Sequence, residues 1–134
     1  MSFKDEVNDA IIHVAAIRTL IQQSRPLRPG EKLDEEKEQK KVEKIVESKK
    51  NLQDFPADRI ESLVSYAQQS MPMEIDEIIH KLDRVEFLLD DVAKGKDRRS
   101  NLKLIIETLK NAPVVQSSLL SILSLKKYLS EVPL

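Results

Sequence analysis

The sequence contains two histidines, and one of them follows a glutamate at a spacing used by metal-binding helices. Glu77 and His80 form a Glu-x-x-His motif, which places both side chains on one helix face in di-iron bundles. Those centres need a second copy of the motif and further glutamates that point into the core. This chain has no second copy, so we predict no metal site and interpret the pair as solvated. His13 is predicted at the edge of an apolar helix face.

Several arginines could in principle converge on a dianionic substrate, as they do in some all-helical enzymes. The arginines considered are Arg18, Arg59, Arg84, Arg98 and Arg99. Charged residues make up 34% of the chain and must lie on every helix, so these arginines do not by themselves indicate an active site. The chain has no Cys to act as a nucleophile, and two glycines are too few for a glycine-rich phosphate loop. We therefore predict that the protein is not an enzyme and binds no cofactor.

The charges are nearly balanced, with 22 basic and 23 acidic residues and a net charge of −1. Because nucleic-acid-binding proteins usually carry a basic excess or stripe, this balance argues against a nucleic-acid partner. The longest lysine cluster is interleaved with glutamates, which predicts ion pairs within a solvated helix rather than a phosphate-binding stripe. The lysines are Lys37, Lys40, Lys41, Lys44, Lys49 and Lys50, and the glutamates are Glu35, Glu36, Glu38, Glu43 and Glu47.

No apolar run approaches the ~18 residues that a membrane-spanning helix requires, so we predict no membrane partner. The N-terminal segment carries acidic residues and lacks the basic region and the small-residue cleavage site of a signal peptide. Together with the absence of Cys, this predicts a reducing compartment, the cytosol or the nucleus.

Helices must position these side chains, because apolar residues recur at three- and four-residue steps and aromatic residues are scarce. We predict an all-α protein whose helices are separated at prolines. The predicted helical stripes cover residues 2–23, 31–51, 60–69, 75–92, 97–109 and 114–132. Ser2 and Asp97 are predicted N-caps, and Gly95 is predicted to end a helix as its C′ residue. The charged segment after Gly30 is either a solvated helix or a mobile arm. Pro72 either breaks a helix or bends it.

One segment, around the predicted helix end at Gly95, carries a more distinctive residue pattern than helical periodicity alone. An apolar helix ends in Leu88-Leu89-Asp90-Asp91-Val92, a Lys-Gly-Lys turn follows, and a second helix begins at Asp97-Arg98-Arg99. This arrangement resembles the second and third helices of the BAG domain, a family of co-chaperones of 70-kDa heat-shock proteins. Val42-Glu43-Lys44-Ile45 is similar to part of the first BAG helix, and the resemblance covers residues 34–112. In order and spacing it is most similar to the founding member, whose complete form carries an upstream ubiquitin-like domain.

The resemblance implies an antiparallel three-helix BAG-type bundle with additional N- and C-terminal helical segments. The apolar spacing up to Gln23 and the two prolines after it predict an N-terminal helix and Pro-rich linker over residues 1–30. The resemblance implies the BAG-like bundle over residues 31–134.

The family's partner contacts fall on residues around the Lys-Gly-Lys turn. The aspartate that ends the second BAG helix corresponds to Asp90, and the arginine that opens the third corresponds to Arg99. A polar residue two turns later, often Gln in the family, is Glu107 here. The family's basic residue after the arginine is Ser100 here, and Arg98 could replace it, while a family glutamate falls on His80.

Helical spacing gives these residues a common face independently of the resemblance. Arg99, Lys103 and Glu107 step by four, which places them together on one helix face. The opposite face carries the predicted core residues Leu102, Ile105, Ile106 and Leu109. We call Asp90, Arg98, Arg99, Lys103 and Glu107 the docking residues.

BAG domains grip the ATPase domain of the chaperone and accelerate ADP release without making or breaking a bond. The resemblance therefore implies a nucleotide-exchange factor with a 70-kDa heat-shock chaperone as its partner. The alternative is a non-catalytic helical scaffold, or an interaction module that forms a homodimer through exposed apolar helix faces. The last predicted helix offers such a face, with Val114, Val115, Leu119, Leu120, Ile122, Leu123, Leu125, Tyr128 and Leu129.

Overall fold

The computed structural model describes residues 3–32 and 34–120. This part of the chain contains six helices and no strand, so the all-α prediction is confirmed for it. The helices are α1 (Phe3–Ser24), α2 (Glu35–Asn51), α3 (Ala57–Gln69), α4 (Pro72–Ala93), α5 (Arg98–Thr108) and α6 (Pro113–Leu120). None of these helices is both long and apolar enough to cross a bilayer.

α2 begins at Glu35, four residues later than the sequence predicts, because Asp34 caps it. The Asp34 carboxylate accepts a hydrogen bond of 2.7 Å from the backbone N–H of Lys37, a donor that has no partner within the helix. Acidic residues fill the first turn and two lysines lie in the last turn, as the helix dipole favours. The charged segment is thus helical from Glu35 onward and is not a mobile arm.

Pro72 breaks the chain into two helices and does not merely bend one. α3 ends at Gln69, and Ser70 adopts an extended backbone with φ −84° and ψ 149°. The Ser70 hydroxyl and backbone N–H both donate to the carbonyl of Tyr66, which closes the end of α3. α4 then starts at Pro72, where the missing N–H removes no helical hydrogen bond.

The predicted helix ends nearest the two chain termini lie partly outside the described residues. α1 continues to Ser24, one residue beyond the predicted end, and stops before Pro26. The predicted N-cap Ser2 lies outside the described residues. α6 begins at Pro113, and the predicted continuation from residue 121 to 132 also lies outside them.

The chain divides into two compact units. Among the described residues, the first contains 3–15 and 80–120, and its largest buried side chains include Leu82, Leu89, Ile105 and Leu109. The second contains residues 16–79, and its largest buried side chains include Ile17, Leu20, Leu63 and Ile78. The division predicted at residue 30 between a linker and a bundle stays a prediction.

Candidate partner-binding surface on α4 and α5

The turn between α4 and α5 is fixed by a glycine in the left-handed conformation. Gly95 has φ +81° and lies at the C′ position of α4. The backbone N–H of Lys96 donates to the carbonyl of Asp91 at 2.9 Å, and that of Gly95 donates to Val92 at 3.0 Å. These two hydrogen bonds form a Schellman motif, which satisfies carbonyls that the helix leaves without partners. The predicted role of Gly95 is confirmed.

Asp97 occupies the N-cap position of α5 but does not cap the helix with its side chain. Its carbonyl accepts the first helical hydrogen bond, from the backbone N–H of Asn101 at 2.9 Å. However, its backbone is left-handed, with φ 40°, and its carboxylate accepts no capping hydrogen bond. The predicted N-cap position of Asp97 is therefore confirmed, but its side chain does not contribute, because an N-cap side chain reaches its donors from an extended backbone. Asn101 closes the turn instead, since its side-chain amide donates to the carbonyl of Lys96 at 2.9 Å.

α5 separates its core face from its polar face as the spacing predicts. Leu102, Ile105 and Leu109 are buried, with exposed fractions of 4% or less. Ile106, which was also predicted in the core, is half-buried. Among the docking residues of this helix, Arg99, Lys103 and Glu107 are all exposed. The helix therefore presents two basic groups and one acid to solvent while its apolar side anchors it.

Asp90 is exposed near the end of α4, and its carboxylate is paired within its own helix. The distance from Lys94 Nζ to Asp90 Oδ2 is 2.9 Å, and this hydrogen bond raises the pKa of the Lys94 ammonium. Within the described part of the chain, no ion pair joins Asp90 to Arg99. The two residues lie on either side of the turn and do not pair with each other. A basic group of a partner protein would have to compete with Lys94 for the Asp90 carboxylate.

Arg98 is held by a residue that is far away in the sequence. Its guanidinium carbon lies 4.6 Å from the centre of the Phe3 ring, a cation–π contact between α5 and the first turn of α1. The side chain stays exposed in spite of this contact. Arg98 therefore has a structural role in the first unit, and a partner that recruits it must compete with the Phe3 ring.

The Glu-x-x-His pair lies on the solvent side of α4. Glu77 and His80 are both exposed. Across residues 3–32 and 34–120, no group of three His, Asp or Glu side chains is arranged to hold a metal ion. His13 is half-buried on α1, at the edge of the apolar face where it is predicted.

The linker between α1 and α2 is fastened by two arginines. Arg25 forms a bidentate pair with Glu31, with Nη–Oε distances of 3.0 and 3.3 Å. Arg28 donates to the carboxylate of Asp76 on α4. The hydrogen bond from Arg25 lowers the pKa of the Glu31 carboxyl, and the bond to Asp76 raises the pKa of the Arg28 guanidinium. A bidentate arginine–carboxylate pair such as Arg25–Glu31 fixes the relative orientation of the two side chains as well as their distance.

The same linker helps to enclose a basic pocket that helical periodicity alone does not predict. The pocket has a volume of about 270 Å³. One wall, which we call the lysine face of α2, consists of Lys37, Lys40, Lys41 and Lys44, and the other lining residues are Gln22, Gln23, Arg25, Leu27 and Glu31. The lysine spacing of i, i+3, i+4 and i+7 is the signal that could have revealed this face.

Comparisons of the chain with protein-family models, with curated proteins and with solved structures find no match.

Proposed function

We propose that the protein is a BAG-type co-chaperone that binds the ATPase domain of 70-kDa heat-shock chaperones and promotes ADP release. The observation that carries the proposal is the set of exposed polar side chains on both sides of the α4–α5 turn. Asp90 on α4 and Arg99, Lys103 and Glu107 on α5 are all open to solvent. Asp90, Arg99 and Glu107 stand at the positions to which the BAG resemblance assigns partner contacts.

In this proposal, α2, α4 and α5 supply the three helices of an antiparallel BAG-type bundle over residues 31–134. α1 and the Pro-rich linker, within residues 1–30, form an additional N-terminal segment. The cytosol and the nucleus, where such chaperones act, are the proposed compartments.

The mechanism requires no bond chemistry in the co-chaperone. It binds the open state of the chaperone's nucleotide cleft more tightly than the ADP-closed state, and so shifts the population toward the open state. Binding free energies are reciprocal, so the factor by which the co-chaperone weakens ADP binding equals the factor by which ADP weakens its binding. Differential affinity between two chaperone states is therefore the whole source of the exchange activity.

Arg99 is the proposed anchor of the contact. Its planar guanidinium can donate two parallel hydrogen bonds to a chaperone carboxylate, and no described carboxylate pairs with it in the free protein. Asp90 would accept from a basic chaperone group after exchanging its contact with Lys94. Glu107 replaces a residue that is often Gln in the family, so it can accept a hydrogen bond but adds a negative charge.

Calorimetry and nucleotide release test the proposal with one variant and one matched control. Truncating one member of a buried interfacial charge pair costs about 2–5 kcal/mol, so Arg99→Ala should weaken chaperone binding at least tenfold. Arg84→Ala removes another exposed arginine, on α4, and should leave binding unchanged. Release of a fluorescent ADP analogue from a cytosolic 70-kDa chaperone should accelerate with the wild-type chain and much less with Arg99→Ala.

Two results would contradict different parts of the proposal. Equal binding by wild type and Arg99→Ala would remove Arg99 as the anchor. A wild-type chain that neither binds the chaperone nor accelerates ADP release would eliminate the co-chaperone function altogether.

The second candidate function is a self-associating helical scaffold, and exposed apolar side chains favour it. Phe87 on α4 is 69% exposed, and Met73 in the first turn of α4 is 80% exposed. On α6, by contrast, Val115 and Leu119 are buried, and the later apolar positions lie outside the described residues. Light scattering distinguishes the candidates, because the scaffold predicts a dimer or larger species and a monomeric mass at high concentration would exclude it.

A further inference from the structure

The pocket beside the lysine face carries a strong positive charge although the whole chain is nearly neutral. Four lysines and Arg25 line it against a single acid, Glu31, which leaves four positive charges. Because Arg25 and Glu31 neutralise each other through their bidentate pair, the excess charge resides on the lysine face.

Most of the lysine face lacks a carboxylate partner. Within the described residues, only Lys40 forms an ion pair, with Glu36 at 3.6 Å on the same helix. Lys37, Lys41 and Lys44 have none, and Lys41 is half-buried. Four like charges on one side of a cleft repel one another, and cleft walls of low dielectric constant concentrate their field. An anion in the pocket would relieve that repulsion.

The linker that lines the pocket together with the lysines is held by its own ion pairs, without a ligand. Arg25 pairs with Glu31 within the linker, and Arg28 pairs with Asp76 on α4. Two side-chain amides, those of Gln22 and Gln23, also line the pocket and offer uncharged hydrogen-bond donors. A fixed wall lowers the ordering cost of binding.

We propose that this pocket binds a small soluble anion that carries two or more phosphate groups. Lysine ammonium groups bind phosphate as point charges, and several of them at one site favour a ligand with several charges. The volume of about 270 Å³ lies just below the ~300–1,000 Å³ of pockets for drug-sized ligands, which favours a compact ligand. The net charge of −1 opposes a long polyanion that would extend across the surface.

This inference does not depend on the co-chaperone proposal. None of the docking residues lines the pocket. Failure of either proposal therefore leaves the other intact.

Calorimetric titration of the full chain with inorganic tripolyphosphate tests the inference, with monophosphate as a second titrant. Lys41→Gln/Lys44→Gln removes two charges from the lysine face. Lys49→Gln/Lys50→Gln removes two charges from the last turn of the same helix, outside the pocket, and is the matched control. Circular dichroism of both variants checks that the helices are retained.

The wild-type chain should bind tripolyphosphate more tightly than monophosphate, and binding should weaken as salt is added. Since the pocket variant loses two charged hydrogen-bond donors, it should bind at least tenfold more weakly. The control variant should change the affinity by less than about threefold, because charges outside the pocket act only through screened fields.

Three outcomes would overturn the proposal. The first is no binding of tripolyphosphate at millimolar concentration, and the second is equal weakening by the pocket variant and the control. The third comes from vesicles that contain a phosphoinositide lipid: binding to these vesicles without binding to tripolyphosphate would assign the lysines to a membrane headgroup instead.

Discussion

Replacing Gly95 by Ala tests the turn that joins the two halves of the candidate surface. The φ of +81° is left-handed, and a residue with a Cβ pays about 1–2 kcal/mol in that conformation. A Cβ at this position would meet only the guanidinium of Arg98, at 3.7 and 4.0 Å, which is ordinary contact. The cost is therefore conformational and not steric. Alanine also restricts the unfolded chain, which offsets about 0.4–1 kcal/mol, so the net loss of stability should be about 1 kcal/mol.

Urea unfolding followed by circular dichroism measures this loss. With a slope of about 2 kcal/mol per molar urea, the midpoint should fall by about 0.5 M. Gly95→Asn should recover part of the loss, because Asn tolerates the left-handed conformation better than Ala.

Gly30→Ala is the matched control for this variant. Gly30 has φ +85°, and a Cβ there would meet no atom within 4 Å. The stability loss should therefore be similar, but only Gly95→Ala should also weaken chaperone binding, because only that turn joins Asp90 to Arg99. An unchanged midpoint for Gly95→Ala would refute the conformational argument.

Two further predictions concern α2 and its linker. Asp34→Ala removes the N-cap of α2 and should destabilise the protein by about 1 kcal/mol. Thermal unfolding would show this loss as a lower melting temperature. An unaltered melting temperature would show that the cap is dispensable. The pKa of Glu31 is lowered by Arg25 from an ordinary value of 4.5, so their pair stabilises the fold above about pH 4.5 and is lost as pH falls through the lowered pKa. Arg25→Gln should therefore be less stable than wild type at neutral pH in urea unfolding, and the difference should shrink as the pH is lowered below 4.5. A difference that stays constant over this pH range would contradict this reasoning.

The basic pocket shows why a correct helix prediction did not reveal a site. The alternation of Lys and Glu in residues 35–50 indicates intrahelical pairs, and Lys40 with Glu36 is one such pair. The lysine face nevertheless lies together on one side of α2. It becomes part of a concave site only because the linker residues Arg25, Leu27 and Glu31 line the same pocket. The path of a linker that contains two prolines and a glycine is not encoded by helical periodicity.

The candidate surface on α4 and α5 could be predicted more fully, because it depends on neighbouring residues. Four-residue steps place Arg99, Lys103 and Glu107 on the exposed face, and Gly95 ends α4 as expected. Asp97 takes the N-cap position that its residue type predicts. Residue type does not predict that its backbone is left-handed and that its side chain accepts no capping hydrogen bond.

The spacing of residues along the chain predicts the all-helical fold class, the breaks at proline and glycine, and the side of α5 that is buried. These features follow from hydrogen bonds and side-chain spacings within a few residues, which are local properties. The contacts of Arg98 with Phe3 and of Arg28 with Asp76 appear only in the folded chain. The same is true of the pocket that four lysines of a solvated helix help to line. Such partners are distant in the sequence, so their meeting depends on how the helices pack and on the course of the linkers between them.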